Sequence, residues 1–301
     1  MEKNNLIVGI DIGGSHITAG LVEMNEVKVM KSSVLRKKLN SHGTADEITT
    51  VWINSIKEVI QKGPTKISKL GFAMPGPFDY EKGICLIKDL HKYEALYGMN
   101  IKETLAEALQ IAPENILFRN DAESFLAGEL YGGAAKGFQH AIGITLGTGL
   151  GSAISHDGVI VDAELGVMPY KGKIIEEFVS TRGLLRIYEE LSGKMLSDVK
   201  EISELYETDM NAQKAFEIFS NHLAFFLKEF INREKPEVLV VGGNIANSWN
   251  LFMHQVISDL EKTVSKMPVI VKAVLAEDAA LIGGACSFLS VQTNNTSVVK
   301  L

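Results

Sequence analysis

The chain reads as an α/β protein built from two related halves, each carrying a mixed sheet. Apolar, β-branched segments alternate with segments of helical spacing along its length. One small-residue turn after an apolar strand also occurs twice: Gly9-Ile10-Asp11-Ile12-Gly13-Gly14-Ser15 returns as Gly143-Ile144-Thr145-Leu146-Gly147-Thr148-Gly149. Each copy then goes back into an apolar stretch, Ile17 to Val22 and Ser152 to Ile154, so each reads as a tight β-hairpin. A hairpin so early makes the sheets mixed, and a G-x-G-x-x-G loop between the first strand and a helix is absent, which argues against a dinucleotide fold.

The elements follow in order. Leu6–Ile12, Ile17–Val22 and Val27–Val34 are expected strands, rich in β-branched residues. Ala45–Gln61 has helical spacing through Ile48, Val51, Trp52, Ser55, Ile56 and Val59, and stops near Gly63-Pro64. Lys69–Ala73 is a buried-type strand closed by Pro75-Gly76-Pro77; a helix at Ile101–Leu109 and a strand at Asn115–Phe118 complete the half. The second half reads as helix Ala122–Leu130, strands Ala141–Leu146, Gly151–Ser155 and Val159–Val161, and helices Ile175–Leu191 and Asn211–Asn232. Strand Glu237–Val241, helix Ile245–Lys262, strand Val269–Ala273 and helix Ala279–Leu289 close it. No Pro- or Ser-rich tether separates the halves, so the boundary is expected as a hinge near Phe118–Asn120. That divides residues 1–119 from 120–290 around an interdomain cleft, with the last helix packing back toward the first domain and 291–301 as a polar, frayed tail.

Composition narrows the function. The 301 residues suffice for two full cores, and 46% apolar with 22% charged is ordinary for a soluble globular protein. A net charge of −7 argues against a general nucleic-acid surface. No apolar run is long enough to span a membrane, and no charged-then-apolar leader pattern opens the chain. Cys85 and Cys286 lie in apolar contexts and are expected as buried free thiols in a reducing cytoplasm.

The two small-residue turns suit phosphate, because Gly13, Gly14 and Ser15, like Gly147, Thr148 and Gly149, leave backbone N–H groups uncovered. Thr145 and Thr148 add hydroxyls. Asp11 would repel phosphate unless Mg²⁺ lay between them, directly or through water; the bland alternative is an Asp capping its own turn. Asn120-Asp121 stands where a strand gives way to a helix. It is either a plain N-cap or a polar pair at strand carboxyl ends, where ligands of open α/β sheets bind and where Asp121 could take a proton from a hydroxyl. Glu164 and Glu176, set among apolar residues, are either solvent-facing charges or acceptors for adjacent sugar hydroxyls. Pro75-Gly76-Pro77 could present backbone to a ligand, and Gly242-Gly243 after an apolar strand could admit a flat ring or phosphate; both also read as ordinary turns.

Taken in order, these residues resemble the ROK family (repressors, open reading frames and kinases), within the actin-like, ribonuclease H-like sugar-kinase fold. Gly9 to Ser15 looks like its first phosphate loop, Leu146-Gly147-Thr148-Gly149-Leu150-Gly151 like its second, and Val241-Gly242-Gly243 like its adenosine-side turn; the similarity covers about residues 6–290. The resemblance implies phosphoryl transfer to the 6-hydroxyl of a hexose with Mg²⁺, Asp121 as the base, and Gly76, Asn120, Glu164 and Glu176 against the sugar. Asp89 appears where the family often has Asn, Val167 where it has a sugar-contacting His, and His16 where a Lys is common. The family's zinc insert gives way to Val167-Met168-Pro169-Tyr170-Lys171-Gly172-Lys173, without Cys or His, so no zinc is expected.

Short zinc-less versions of that segment resemble the polyphosphate-using glucokinases, so the donor is ATP or polyphosphate. The expectation is a cytoplasmic, glucokinase-like hexose kinase, with a homodimer usual for the resemblance and neither membrane nor nucleic acid as partner. A sugar sensor that has lost turnover is the rival, motivated by Val167 and His16; a transcriptional regulator would need a DNA-binding module and a basic face.

Overall fold

The structure is a computed structural model describing residues 5–64, 66–90 and 92–289; the expected tail at 291–301 lies outside them. The chain divides into two units, Met1–Lys136 with Glu277–Leu301, and Gly137–Ala276. The expected division at Phe118–Asn120 is therefore displaced: the helix after Asn120 belongs to the first unit, and so does the last helix.

In the first unit, β1 (Leu6–Ile12), β2 (His16–Glu23), β3 (Lys28–Val29), β4 (Leu35–Lys38), α1 (Ala45–Gln61), β5 (Leu70–Met74), β6 (Phe78–Asp79), β7 (Ile84–Cys85), α2 (Ile101–Leu109), β8 (Ile116–Asn120) and α3 (Asp121–Gly132) follow in chain order. Its sheet runs β3-β2-β1-β5-β8, with β4 also on β2; β1 meets β2 antiparallel and β5 parallel, so the sheet is mixed. Helix α1 starts on a capping box between Thr44 and Glu47 and buries Ile48, Trp52, Ile56 and Val59.

The second unit holds β9 (His140–Leu146), β10 (Leu150–His156), β11 (Val159–Asp162), β12 (Pro169–Tyr170), β13 (Lys173–Ile174), α4 (Glu176–Val179), α5 (Thr181–Ser192), α6 (Val199–Glu204), α7 (Met210–Glu234), β14 (Val238–Gly242), α8 (Trp249–Glu261) and β15 (Val269–Lys272). Its sheet order, β11-β10-β9-β14-β15, repeats the plan of an antiparallel hairpin beside parallel strands. Three expected elements are interrupted. Val27–Val34 breaks at a 3₁₀ turn, Lys31–Ser33, because Ser33 Oγ takes the Leu21 N–H at 2.8 Å and donates to the Met30 carbonyl at 2.6 Å. Ile175–Leu191 breaks at the extended Ser180, and Ile245–Lys262 opens as a 3₁₀ turn over Asn244–Ser248. The hairpins β6–β7 and β12–β13 and the short α6 were not expected; strands of two residues carry no readable alternation.

The final helix, α9 (Asp278–Ala285), returns to the first unit. A Cβ on Gly9 would lie 2.2 Å from the Leu281 carbonyl oxygen, one on Gly71 2.1 Å from that of Gly284, and one on Gly128 of α3 2.2 Å from that of Ala279. The helix thus touches both the sheet and α3 backbone to backbone, which accounts for the paired glycines Gly283-Gly284 inside it. Replacing Gly283 by Ala sets a Cβ 1.7 Å from the Ser124 carbonyl oxygen. Despite a helix-propensity gain of about 1 kcal/mol, Gly283→Ala is expected to lower stability by more than about 2 kcal/mol in urea unfolding. Gly14→Ala, with nothing within 4 Å of its Cβ, should change stability by less than about 0.5 kcal/mol.

Candidate functional site

The first turn closes between Ile12 and Ile17, with the Gly13 N–H on the His16 carbonyl at 2.9 Å, leaving Gly14 and Ser15 at an exposed tip. The Gly13 carbonyl accepts a hydrogen bond from the hydroxyl of Tyr93. Tyr93 is fully buried against Trp52, ring centroids 5.6 Å apart, so the loop is clamped from the hydrophobic core. The second turn is one residue shorter: Leu146 pairs with Leu150, and the Gly147 N–H reaches the Gly149 carbonyl at 3.0 Å. Gly14 and Gly147 have no heavy atom within 4 Å of a Cβ position, so each loop faces open space where a phosphate could approach backbone.

Asp121 stands at the carboxyl end of β8 as the first residue of α3. Asn120 caps that helix, its Oδ1 accepting the N–H groups of Ala122 at 2.7 Å and Glu123 at 3.4 Å. The Asn120 amide donates to the Tyr80 hydroxyl at 3.2 Å, and Tyr80 donates to the Met74 carbonyl at 3.1 Å. The same hydroxyl would lie 3.1 Å from a Cβ on Gly76, which precedes a cis peptide bond to Pro77. Tyr80 therefore ties the Pro75–Pro77 turn to Asn120. Asp89 lies on an exposed bend with φ 58°.

Burial raises both Asp11 and Asp121, and the charge of Asp121 acts on Asp11 as well. Asp11 is pushed up to about 6, first by burial and then by the charge of Asp121, while Arg36 pulls it down and Glu277 opposes that. The Asp121 carboxyl retains solvent access yet is crowded by protein on most sides, and this desolvation raises its pKa; the Ala122 N–H at 2.8 Å and the Lys92 charge counter it. Burial and the nearby Asp11 charge raise the Tyr93 hydroxyl. Among the described residues no group of three or more His, Cys, Asp or Glu side chains forms a metal site of its own. A Mg²⁺ ion fits the chemistry at Asp11 nonetheless, since it relieves repulsion between two carboxylates and completes its shell with phosphate oxygens and water.

In the second unit Thr145 pairs with Gly242 in register, and a Cβ on Gly243 (φ 86°) would strike the Leu146 backbone at 2.4 Å, so the glycine turn lies directly beside the second loop. Thr148 is exposed at the loop tip. Glu176 accepts the Leu150 N–H at 2.9 Å and the Arg182 guanidinium at 2.5 Å, and its Oε2 would lie 2.5 Å from a Cβ on Gly149. It is thus a brace of the loop as well as a candidate acceptor. Glu164 is exposed, held at φ 50° with its N–H on Asp162 Oδ1 at 2.8 Å.

The ROK family profile matches residues 7–290. The chain belongs to the ROK family. Among relatives, it is 24% identical to the N-acetyl-D-glucosamine kinase of Histophilus somni over 94% of this chain and 98% of that one, and 23% identical to the glucokinase of Thermotoga maritima over 93% and 96%. Its fold is that of the ROK family glucokinase from Streptomyces griseus in complex with glucose and AMPPNP, with TM-score 0.77 at 20% identity over 93% of this chain and 98% of that one. This is the two-domain, actin-like α/β fold of the ROK sugar kinases.

The segment 167–173, which stands in place of the family's zinc insert, leads into the hairpin β12–β13, turned at Lys171 (φ 47°) and Gly172 (φ 77°). The Tyr170 hydroxyl bonds His222 Nδ1 at 2.9 Å, and its ring lies 5.0 Å from Phe178 and 4.7 Å from Phe225. His222 is held down to about 4 by burial and by Lys171 and Arg186, so it stays neutral at pH 7. Val167 is 68% exposed and offers no polar atom on its side chain. Both cysteines are free and buried, and among the described residues no helix is long and apolar enough to cross a membrane.

The raised Asp11 has a consequence for stability. With the folded pKa near 6 against 3.8 unfolded, the folded state binds the extra proton between those values, so stability falls as pH rises from about 4 to 6 and the loss is complete above 6. Asp11→Asn is expected to stabilise the protein by about 2–3 kcal/mol at pH 8 and by almost nothing at pH 4. Urea unfolding at the two pH values checks this; an equal gain at both would show that the charge is not responsible.

Proposed function

We propose that this chain is a hexose kinase transferring the terminal phosphoryl group of ATP or polyphosphate to the 6-hydroxyl of glucose or a related hexose. The observation that carries the reading is the pairing in one unit of an open, acid-bearing phosphate loop with a desolvated carboxylate, Asp121, at a strand carboxyl end. It is a sugar kinase by the company it keeps: relatives matched over nearly their whole length are named kinases of glucose and N-acetylglucosamine. A polyphosphate/ATP-glucomannokinase from Arthrobacter sp. strain KM, with TM-score 0.69 over 95% of this chain and 99% of that one, supports keeping both donors.

Asp121 takes the proton of the sugar hydroxyl as the oxygen attacks. A pKa raised by desolvation makes it a better base once it is ionised, and Lys92 keeps the ionised form within reach. Asn120, fixed by its capping bonds and by Tyr80, Gly76 with its rigid turn, Asp89, Glu164 and Glu176 hold the sugar. The first loop takes donor phosphate oxygens at Gly13, Gly14 and Ser15. The second takes them at Thr145, Gly147, Thr148 and Gly149, with Gly242-Gly243 beside it for the nucleotide. Asp11 would hold Mg²⁺, which supplies neutralisation of charge on the transferring group; positioning and electrostatics carry most of such a reaction. The expected setting is the cytoplasm, and the expected assembly a homodimer.

Val167 favours one second reading, a sensor that binds sugar without turnover, because it removes a polar contact from the sugar side. A panel of glucose, mannose and N-acetylated hexosamines, each assayed with ATP and with polyphosphate, separates the two: sugar binding without product would leave the sensor. For the kinase, Asp121→Asn is expected to lower kcat by about 10²–10⁴ while hexose binding survives. Unchanged turnover in that variant would remove Asp121 from the role of base.

A further inference from the structure

The first loop has an acid but no cation of its own: residues Gly9 to His16 include Asp11 and no Lys or Arg. The sheet brings one to it. Asp11 of β1 pairs with Thr18 of β2, and Thr18 pairs with Arg36 of β4, so the three side chains form a row across one face of the sheet. One Arg36 nitrogen lies 2.6 Å from His16 Nε2, and His16 Nδ1 lies 3.1 Å from Ser15 Oγ at the loop tip. Since a guanidinium only donates, Nε2 accepts, and Nδ1 carries the proton and donates to Ser15. His16 is therefore a neutral bracket between the guanidinium and the loop tip.

We propose that Arg36 is the donor-phosphate cation of this chain, carried to the first loop from β4 and aimed by His16. The inference rests on the kinase reading above and names the group that would meet the donor's charge. Arg36 also donates to Glu277, just before α9. Its side chain is 45% exposed and that of Glu277 73%, so the pair is a weak surface one, readily exchanged for a multiply charged phosphate. Lys38, two residues on along the same face and paired in register with His16, adds a second positive charge. The opposing charges here are Asp11, Glu277 and Asp121, which repel a donor that Arg36 attracts. The electrostatics agree: burial and then Arg36 hold His16 below its usual pKa.

The rival is a purely structural pair, in which Arg36 anchors the start of α9 through Glu277. The variants Arg36→Ala, Arg36→Lys and Glu277→Gln separate them, measured for tripolyphosphate and AMPPNP binding by calorimetry, for hexose binding, for thermal stability, and for kcat and KM toward each substrate. The expected result is a loss of about 10²-fold in kcat/KM for the donor in Arg36→Ala, with weaker tripolyphosphate binding, unchanged hexose affinity and partial recovery in Arg36→Lys. Glu277→Gln, which frees the guanidinium, should bind tripolyphosphate as well as or better than the wild type. Parallel losses in Arg36→Ala and Glu277→Gln, or unchanged donor affinity in Arg36→Ala, overturn the proposal. If no hexose is phosphorylated but tripolyphosphate binding still depends on Arg36, the kinase reading falls and the anion site stands; turnover with Arg36-independent donor binding gives the reverse.

Discussion

The approach of α9 to the central strands is a contact of main chain on main chain, with the Leu281 and Gly284 carbonyls over Gly9 and Gly71. Any side chain at those strand positions would force the helix away. Because Gly9 lies two residues before Asp11 on the same strand face, the helix that covers the sheet also determines what stands near the acid. Its first residues bring Glu277 to Arg36 and Asp278 to Lys31, the latter at 2.6 Å. The charge balance around the first loop is thus set by a helix that follows it by more than two hundred residues of chain. Sequence separation of that order makes the first unit discontinuous, and it explains why a boundary placed where the pattern of elements changes falls in the wrong position.

The charges of the first unit are held in tension. Burial raises both carboxylates, Asp121 adds its charge to the rise of Asp11, and each has one cation working against the rise: Arg36 for Asp11, Lys92 for Asp121. A structure selected only for stability would neutralise such a pair. This one keeps it and clamps the loop beside it with the buried Tyr93, so the unfavourable charge cannot relax by moving the backbone. Stored electrostatic strain of this kind is what a polyanion with a divalent cation would discharge on binding.

Much of this was legible in the residues and some was not. Strand β1 and helices α1 and α2 stood at their expected bounds because β-branched content in the one and helical spacing in the others held over seven residues or more. The glycine turns were readable because they interrupt apolar strands. Tyr80, Tyr93 and Lys92 were missed: a tyrosine that reaches a carbonyl eighty residues away leaves no local signal. Arg36 lies just beyond the expected strand Val27–Val34, in β4, which the sequence did not announce; the 3₁₀ break at Lys31–Ser33 precedes β4, which pairs with β2 in the register that aims Arg36. Arg182 and the Ser180 break are hidden alike in a segment whose apolar spacing reads as one continuous helix.

The repeated turn is not used twice in the same way. In the first unit the loop is four residues between paired isoleucines, its inner carbonyl taken by a core tyrosine, and its flank carries an acid and a borrowed guanidinium. In the second the loop is three residues, and the Gly147 carbonyl accepts the Thr181 N–H at 2.8 Å, from the start of the helix whose Arg182 also holds Glu176. One loop is fastened by a side chain from the core, the other by the main chain and an ion pair of its own neighbouring helix. A side-chain clamp leaves the flanking strand free to present charge. The main-chain fastening leaves the second loop backed by the turn at Gly242-Gly243, with Gly243 packed against Leu146. The two hairpins share a turn pattern; the different elements packed behind each of them make their surroundings unlike.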